Sequence, residues 1–208
     1  MSDKRTLLVW TDLETTGLDP EKGRVLEYAL VLTDLKLNEV DSTELVVPQS
    51  TAEARSLMDD YVLKMHEGNG LLAAMEQTER QLPIPSYPES INVVDDMLVA
   101  FLEKHNDGNT IFVIAGNTVG FDKGYIKIHM PKLFDTLHYR QLDVSAYKVA
   151  FPEVFGTKTS DAHRAMGDIR ASIESHSKMR SFFLAGEQAL DVRSAIVSQT
   201  TFDEDDCC

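Results

Sequence analysis

The sequence predicts a single α/β domain: a five-stranded mixed sheet flanked by helices. Three observations lead there. Apolar runs of strand length recur at 6–12, 25–34 and 43–47, with turn residues between the first two. After Pro48 the apolar period turns helical and then alternates with two more strand-like runs, 110–116 and 137–144. The 208 residues, 43% hydrophobic and 26% charged, suit one generous globular domain.

TLLVWTD, 6–12, reads as a buried strand and VLEYALVLTD, 25–34, as a second. The segment DPEKGR between them carries turn chemistry, so the two should pair as antiparallel neighbours. TELVV, 43–47, makes a third strand, closed by Pro48. Short helical pieces follow at 52–58, 61–66 and 71–80. QLPIPSYPES, 81–90, holds three prolines and reads as a loop, with Ser90 capping a helix whose Ile91, Val94, Leu98, Phe101 and Leu102 repeat at helical spacing. TIFVIAG, 110–116, is apolar throughout, as in a strand buried on both faces. A helix from Phe121 to about His129 follows it, and then LHYRQLDV, 137–144, a fifth strand with polar alternation. Met166, Ile169 and Ile173 line one face of a long helix over 162–185. The domain is expected to span 1–186, leaving 187–208 as an acidic tail.

Net charge is −14, from 20 Lys and Arg against 34 Asp and Glu. That balance disfavours broad nucleic-acid binding, but the charge is uneven. Six acids crowd the segment from Glu187 onward, whereas Lys123, Lys127, Lys132, Arg140 and Lys148 face only Asp135 and Asp143 in theirs. No apolar run approaches the ~20 residues that span a bilayer, and no membrane partner is expected. MSDKRTLLVW lacks the pattern of a secretory signal, so a cytoplasmic location is the expectation. The only cysteines, Cys207 and Cys208, are adjacent and imply no disulfide framework.

Four acids stand apart. Asp12 and Glu14 lie at the end of the first strand, where residues two apart share a face. Like charges that close repel and resist desolvation, so something must compensate them. Asp122 lies in GNTVGFDK, where strand gives way to helix, and Asp168 lies in the late helix, five residues after His163. Four carboxylates without a thiol make a hard, oxygen-rich set suited to Mg²⁺ or Mn²⁺ rather than zinc. Two such ions ~4 Å apart can clamp the attacking and leaving oxygens of a phosphodiester. His163, neutral near pH 7, is placed to take a proton from an attacking water.

With these motifs in hand, the chain resembles the DEDD exonuclease superfamily, in the branch whose last motif is His-x4-Asp, and within it the oligoribonuclease family. DLETTGLDP is similar to that family's DLEMTGLDP, GNTVGFDK to its GNS-x-x-x-D, HYRQLDVS to its HYRNLDVS, and HRAMGDIRASI to its HRALDDI-x-x-SI. The resemblance, from Leu8 to about Ser175, implies a ribonuclease H-like fold. It also implies 3′-to-5′ hydrolysis of short single-stranded RNA to 5′-mononucleotides, with short DNA left open as a second substrate. By the same resemblance Asp12, Glu14, Asp122 and Asp168 hold two Mg²⁺ or Mn²⁺ ions and His163 is the general base. Leu18 wedges against the terminal bases and Tyr61, where the family has tryptophan, stacks on one. His66, Arg140 and Ser145 contact the far 5′ phosphate, and Tyr139 reaches the partner's site in a homodimer.

The chain departs from the pattern at Gly167, Phe121, Ala146 and Asn69, positions that bear on substrate length more than on chemistry. Two other readings stay open here: a less length-selective exonuclease of DNA or RNA ends, and a non-catalytic nucleic-acid-binding module.

Overall fold

The computed structural model describes residues 4–155 and 164–190. Chain order is β1 (Arg5–Thr15), β2 (Val25–Thr33), β3 (Glu39–Val46), α1 (Thr51–Ser56), α2 (Asp60–Gly68), α3 (Leu71–Gln81), α4 (Tyr87–Glu103), β4 (Thr110–Gly116), α5 (Gly120–His129), α6 (Pro131–Thr136), β5 (Leu137–Asp143), α7 (Ser145–Ala150), α8 (Pro152–Phe155) and α9 (Ala165–Leu190). The strands form one sheet in the order β3-β2-β1-β4-β5. The first three are an antiparallel meander, and β4 and β5 add in parallel to β1. The five-stranded mixed sheet and the antiparallel pairing of its first two strands therefore stand as expected.

Alternation along β1 divides the core. Leu7, Val9 and Leu13 pack with Ile91, Val94 and Leu98 of α4 and with Tyr125 and Ile126 of α5. Leu8 and Trp10 pack on the opposite face with Ile169 and Met179 of α9. Every residue of β2 is buried, which is how a strand covered on both faces reads. Even-numbered β1 residues thus look toward α9, and Asp12 and Glu14 belong to that set.

Three elements differ from the sequence reading. β1 does not stop at the first acid but runs on through both, because β2 keeps pairing with it past Asp12 to Glu14↔Glu27 and Thr15↔Val25. β4 pairs with β1 only as far as Trp10↔Ala115, so the end of β1 is open on that side. α4 begins inside the proline segment: the Ser86 backbone N–H and hydroxyl both donate to Glu89 Oε2, at 2.9 and 2.7 Å. Pro88 then falls in the first turn, where no backbone donor is needed. Ser86 is therefore the cap, and Ser90 is a buried residue within the helix. α9 runs from Ala165 to Leu190, where the sequence predicts a helix over 162–185.

α6, which the sequence did not announce, is held by one acid. Asp95 of α4, only 1% exposed, accepts from the backbone N–H groups of Leu133 at 2.8 Å and Lys132 at 3.0 Å. Asp95→Ala strands both donors and is expected to cost about 1–3 kcal/mol. Urea unfolding measures this, and an unchanged midpoint would contradict the assignment.

Candidate active site

At the open end of β1 the backbone N–H of Leu13 has no β4 partner. It donates instead to Asp122 Oδ1 at 3.0 Å, which draws the start of α5 against the strand. From the other face α9 delivers Asp168. One carboxylate oxygen from each of Asp12, Glu14 and Asp168 lies within 4.8 Å of the others. Asp122 joins them along the wall of a cleft of about 340 Å³, which Leu18, Asn117, Thr118 and Phe121 also line. The four acids singled out from sequence therefore meet in one place.

Their electrostatics are costly. Burial, reinforced by Asp122, Glu14 and Asp168, holds Asp12 well above the usual carboxylate range. Burial and then Asp168 and Glu27 push Glu14 from 4.5 to about 8, against a downward pull from Arg164. Burial lifts Asp122 to about 7 even though the Leu13 N–H favours its anion. Crowded, part-desolvated carboxylate oxygens are the donor set a hard divalent cation takes, and a cation there removes the repulsion. The residues present fit such an ion.

Two residues that the sequence reading missed build the site. Glu27, 3% exposed, accepts from Arg164 Nε at 3.0 Å and from the Ala165 backbone N–H at 3.2 Å, while Arg164 Nη2 reaches its other oxygen at 2.5 Å. This caps the head of α9 and places Asp168 one turn on. The signal was a single acid in the otherwise apolar run VLEYALVLT. Thr118 is the other: its φ of 59° is rare for a β-branched residue and puts it in the cleft wall.

The remaining expected site residues are more dispersed. Leu18 projects at the cleft, 85% exposed. Tyr61 is exposed at the start of α2 and does not line the cleft. His66 is fully buried: Nε2 donates to the Thr15 carbonyl at 3.0 Å, and Nδ1 lies 3.9 Å from Glu14 Oε2. It braces the end of β1 from within. Tyr139 and Arg140 are exposed on the edge strand β5, with Arg140 Cζ 5.4 Å from the Tyr139 ring centroid. Arg140 lines a separate hollow of about 490 Å³ with His176, Arg180 and Phe183. Ser145 donates to Asp143 Oδ1 through its N–H and hydroxyl, and the same oxygen accepts from the Thr118 N–H at 2.9 Å. His163 lies outside the described residues.

An exonuclease family model, RNase T, matches residues 9–175. The oligoribonuclease of Corynebacterium glutamicum (strain R) is 35% identical over 92% of this chain and 89% of its own length. That of Yersinia enterocolitica is 32% identical over 88% of this chain and 99% of its own. Among solved structures, E. coli exonuclease I in complex with a dA16 oligonucleotide aligns with a TM-score of 0.59 at 15% identity, over 85% of this chain and 41% of the other. Exonuclease I from Methylocaldum szegediense aligns at 0.54 and 17%, over 85% and 40%. These likenesses show the ribonuclease H-like fold, and the chain spans about two fifths of those longer proteins.

Glu14 and Asp122 titrate in the folded state above their ordinary values, so the stability tied to their neutral forms is present in acid. It is lost as pH rises through about 7 and 8. In EDTA the melting temperature should fall across that window, and a divalent cation should abolish the fall; a flat EDTA profile would refute this. Glu27→Gln should weaken divalent-cation affinity by about tenfold, measured by calorimetry, because it frees the head of α9.

Proposed function

The chain belongs to the RNase T exonuclease family, and on that premise we propose that it removes nucleotides from the 3′ end of short single-stranded RNA, releasing 5′-mononucleotides. The observation that carries this is the half-buried acid cluster opening onto a cleft with one exposed apolar residue, Leu18, at its rim. An acid set of this kind handles phosphodiesters, and an apolar rim suits a base.

Asp12, Glu14, Asp122 and Asp168 would hold the metal, of which two ions, Mg²⁺ or Mn²⁺, are our reading. When bound, the metal supplies Lewis acidity at the phosphodiester oxygens. His163 takes the proton of the attacking water. The anchoring of its neighbour Arg164 to Glu27 supports that role by fixing the chain just ahead of Asp168. Leu18 wedges against the terminal bases, and the exposed ring of Tyr61 offers a stacking face to one of them.

We further propose that the protein works as a homodimer. Val149, Phe151, Val154, Phe182 and Phe183 are exposed on α7–α9, an apolar patch of the kind that self-association covers. In one protomer Tyr139 and Arg140 stand apart from the acid cleft, so capping a 5′ phosphate there requires the partner's copy. His66 supports that role only indirectly, through the backbone it braces. A second reading, a less length-selective exonuclease of RNA or DNA ends, draws on the same separation and on the engagement of the Ser145 hydroxyl by Asp143. Among the described residues no helix is long and apolar enough to cross a membrane, and we place the enzyme in the cytoplasm. Residues 1–186 are proposed as the catalytic unit, with the acidic segment 187–208 as an appendix.

A ladder of 5′-labelled RNAs, from dinucleotide to heptanucleotide, tests the assignment with Mg²⁺ and with Mn²⁺. Fast loss of the shortest species supports it, and no cleavage with either metal rejects it. Arg140→Ala should slow dinucleotide cleavage by about tenfold or more if that side chain grips a phosphate. Equal rates for variant and wild type would favour the second reading. Light scattering that returns the mass of one chain at low concentration would remove the dimer.

A further inference from the structure

Leu18 is 85% exposed, so packing does not hold its side chain. A wedge in that state is useful only if its backbone is fixed, since a mobile turn would forfeit in entropy what the contact gains. The backbone on both sides of Leu18 is gripped. The Tyr125 hydroxyl donates to the Gly17 carbonyl at 2.7 Å, with the Asp19 carbonyl 3.2 Å away. His129 Nε2 donates to the Pro20 carbonyl at 2.8 Å. The two rings stack, with centroids 5.5 Å apart and planes 20° from parallel.

The grip is itself anchored. The Tyr87 hydroxyl lies 3.2 Å from His129 Nδ1 and accepts from the Val25 N–H at 2.9 Å, where the chain leaves the turn and enters β2. Because Val25 takes an acceptor lone pair of that hydroxyl, its proton is available to Nδ1, which leaves His129 as the Nε2–H tautomer that Pro20 requires. Burial keeps His129 below the usual histidine range, in keeping with a neutral ring. Gly23 makes room for the arrangement, since a Cβ there would stand 2.1 Å from the Tyr125 hydroxyl oxygen.

Asp122, Tyr125 and His129 fall at i, i+3 and i+7 of α5, on one face. The first bonds to the Leu13 backbone and the other two grip the turn that follows β1. One helix thus ties a metal-binding carboxylate and the apolar wedge to a common rigid frame.

We propose that Tyr125 and His129 are positioning residues that act through Leu18, setting the height of the wedge above the acid cluster and thereby how firmly it seats between the last two bases of the substrate. This rests on the exonuclease reading of the site. The pair touches backbone carbonyls and not substrate, so its effect belongs in KM and in substrates with a second base.

The test uses Tyr125→Phe, which keeps the ring stack and removes only the donor, with His129→Gln as a second variant whose amide can still donate to Pro20. Hydrogen exchange at the Lys22 and Gly23 amides, both bonded to the Asp19 carbonyl, should rise in Tyr125→Phe without loss of global stability. Unchanged exchange overturns the proposal whatever the activity. On an RNA dinucleotide KM should rise by about three- to tenfold with kcat little altered. Hydrolysis of a nucleoside 5′-(p-nitrophenyl phosphate), which carries a single base, should not change. In a Leu18→Ala background Tyr125→Phe should add nothing to KM. Additive effects, or equal losses on the ester and the dinucleotide, would show a general structural role and overturn it. Wild-type protein inert toward both substrates would instead count against the exonuclease reading, while the exchange measurement still decides the network. His129→Gln should retain most of the wild-type KM if donation to Pro20 is what matters, while His129→Leu, which cannot donate, should raise KM as Tyr125→Phe does; an unchanged KM in His129→Leu would remove His129 from the assignment.

Discussion

The site depends on one ion pair, between the buried Glu27 and the half-exposed Arg164. Glu27 stands on β2 directly opposite Glu14 and adds a third negative charge where two already conflict. It stays buried because Arg164 and the first amide of α9 bond to it. Without it, α9 would keep its apolar contacts through Ile169 and Met179 and the Arg170–Glu39 ion pair to β3, but its first turn, which carries Asp168, would lose its own anchor. A shift of one residue turns a helix by about 100°, enough to swing Asp168 out of the cluster. Buried ion pairs seldom add much stability, but they set register well.

The other arm of the site is built on a different principle. β1 outruns β4, and the unpaired Leu13 amide is satisfied by Asp122 rather than by a strand. A ladder that ends early thus leaves a donor free for a carboxylate from the next helix. The acids of β1 face α9, while α5 packs on the opposite face, so Asp122 reaches them around the strand end and not through the sheet. Burial and mutual repulsion raise the proton affinity of three of these groups, so stability is given up locally to keep a place for cations.

Most of the sheet was legible in the sequence because its signals are local. Period-two burial, the DPEKGR turn and the uninterrupted TIFVIAG run each report on a few neighbouring residues. Capping chemistry misled at α4, where both Ser86 and Ser90 are plausible caps and only the Glu89 side chain distinguishes them. α6 was hidden because its cap, Asp95, lies 37 residues away from Lys132 in the chain. His66 was expected at the 5′ phosphate on resemblance, yet its ring turns inward to the Thr15 carbonyl, a contact across 51 residues that its own short helix does not reveal.

What the sequence determined by itself was the chemistry: which carboxylates pair on one strand face, that oxygen donors without thiols call for hard cations, and that an apolar residue follows them in a turn. These follow from residue type and short-range periodicity. Only the tertiary structure decided that Glu27 and Arg164 locate α9, that His66 is interior, that Arg140 lies away from the acid cleft, and that Tyr125 and His129 hold the turn of Leu18. The physical reason is common to all four. Each depends on a hydrogen bond or packing contact between segments distant in the chain, and local propensity carries no information about which distant partner a polar group will find.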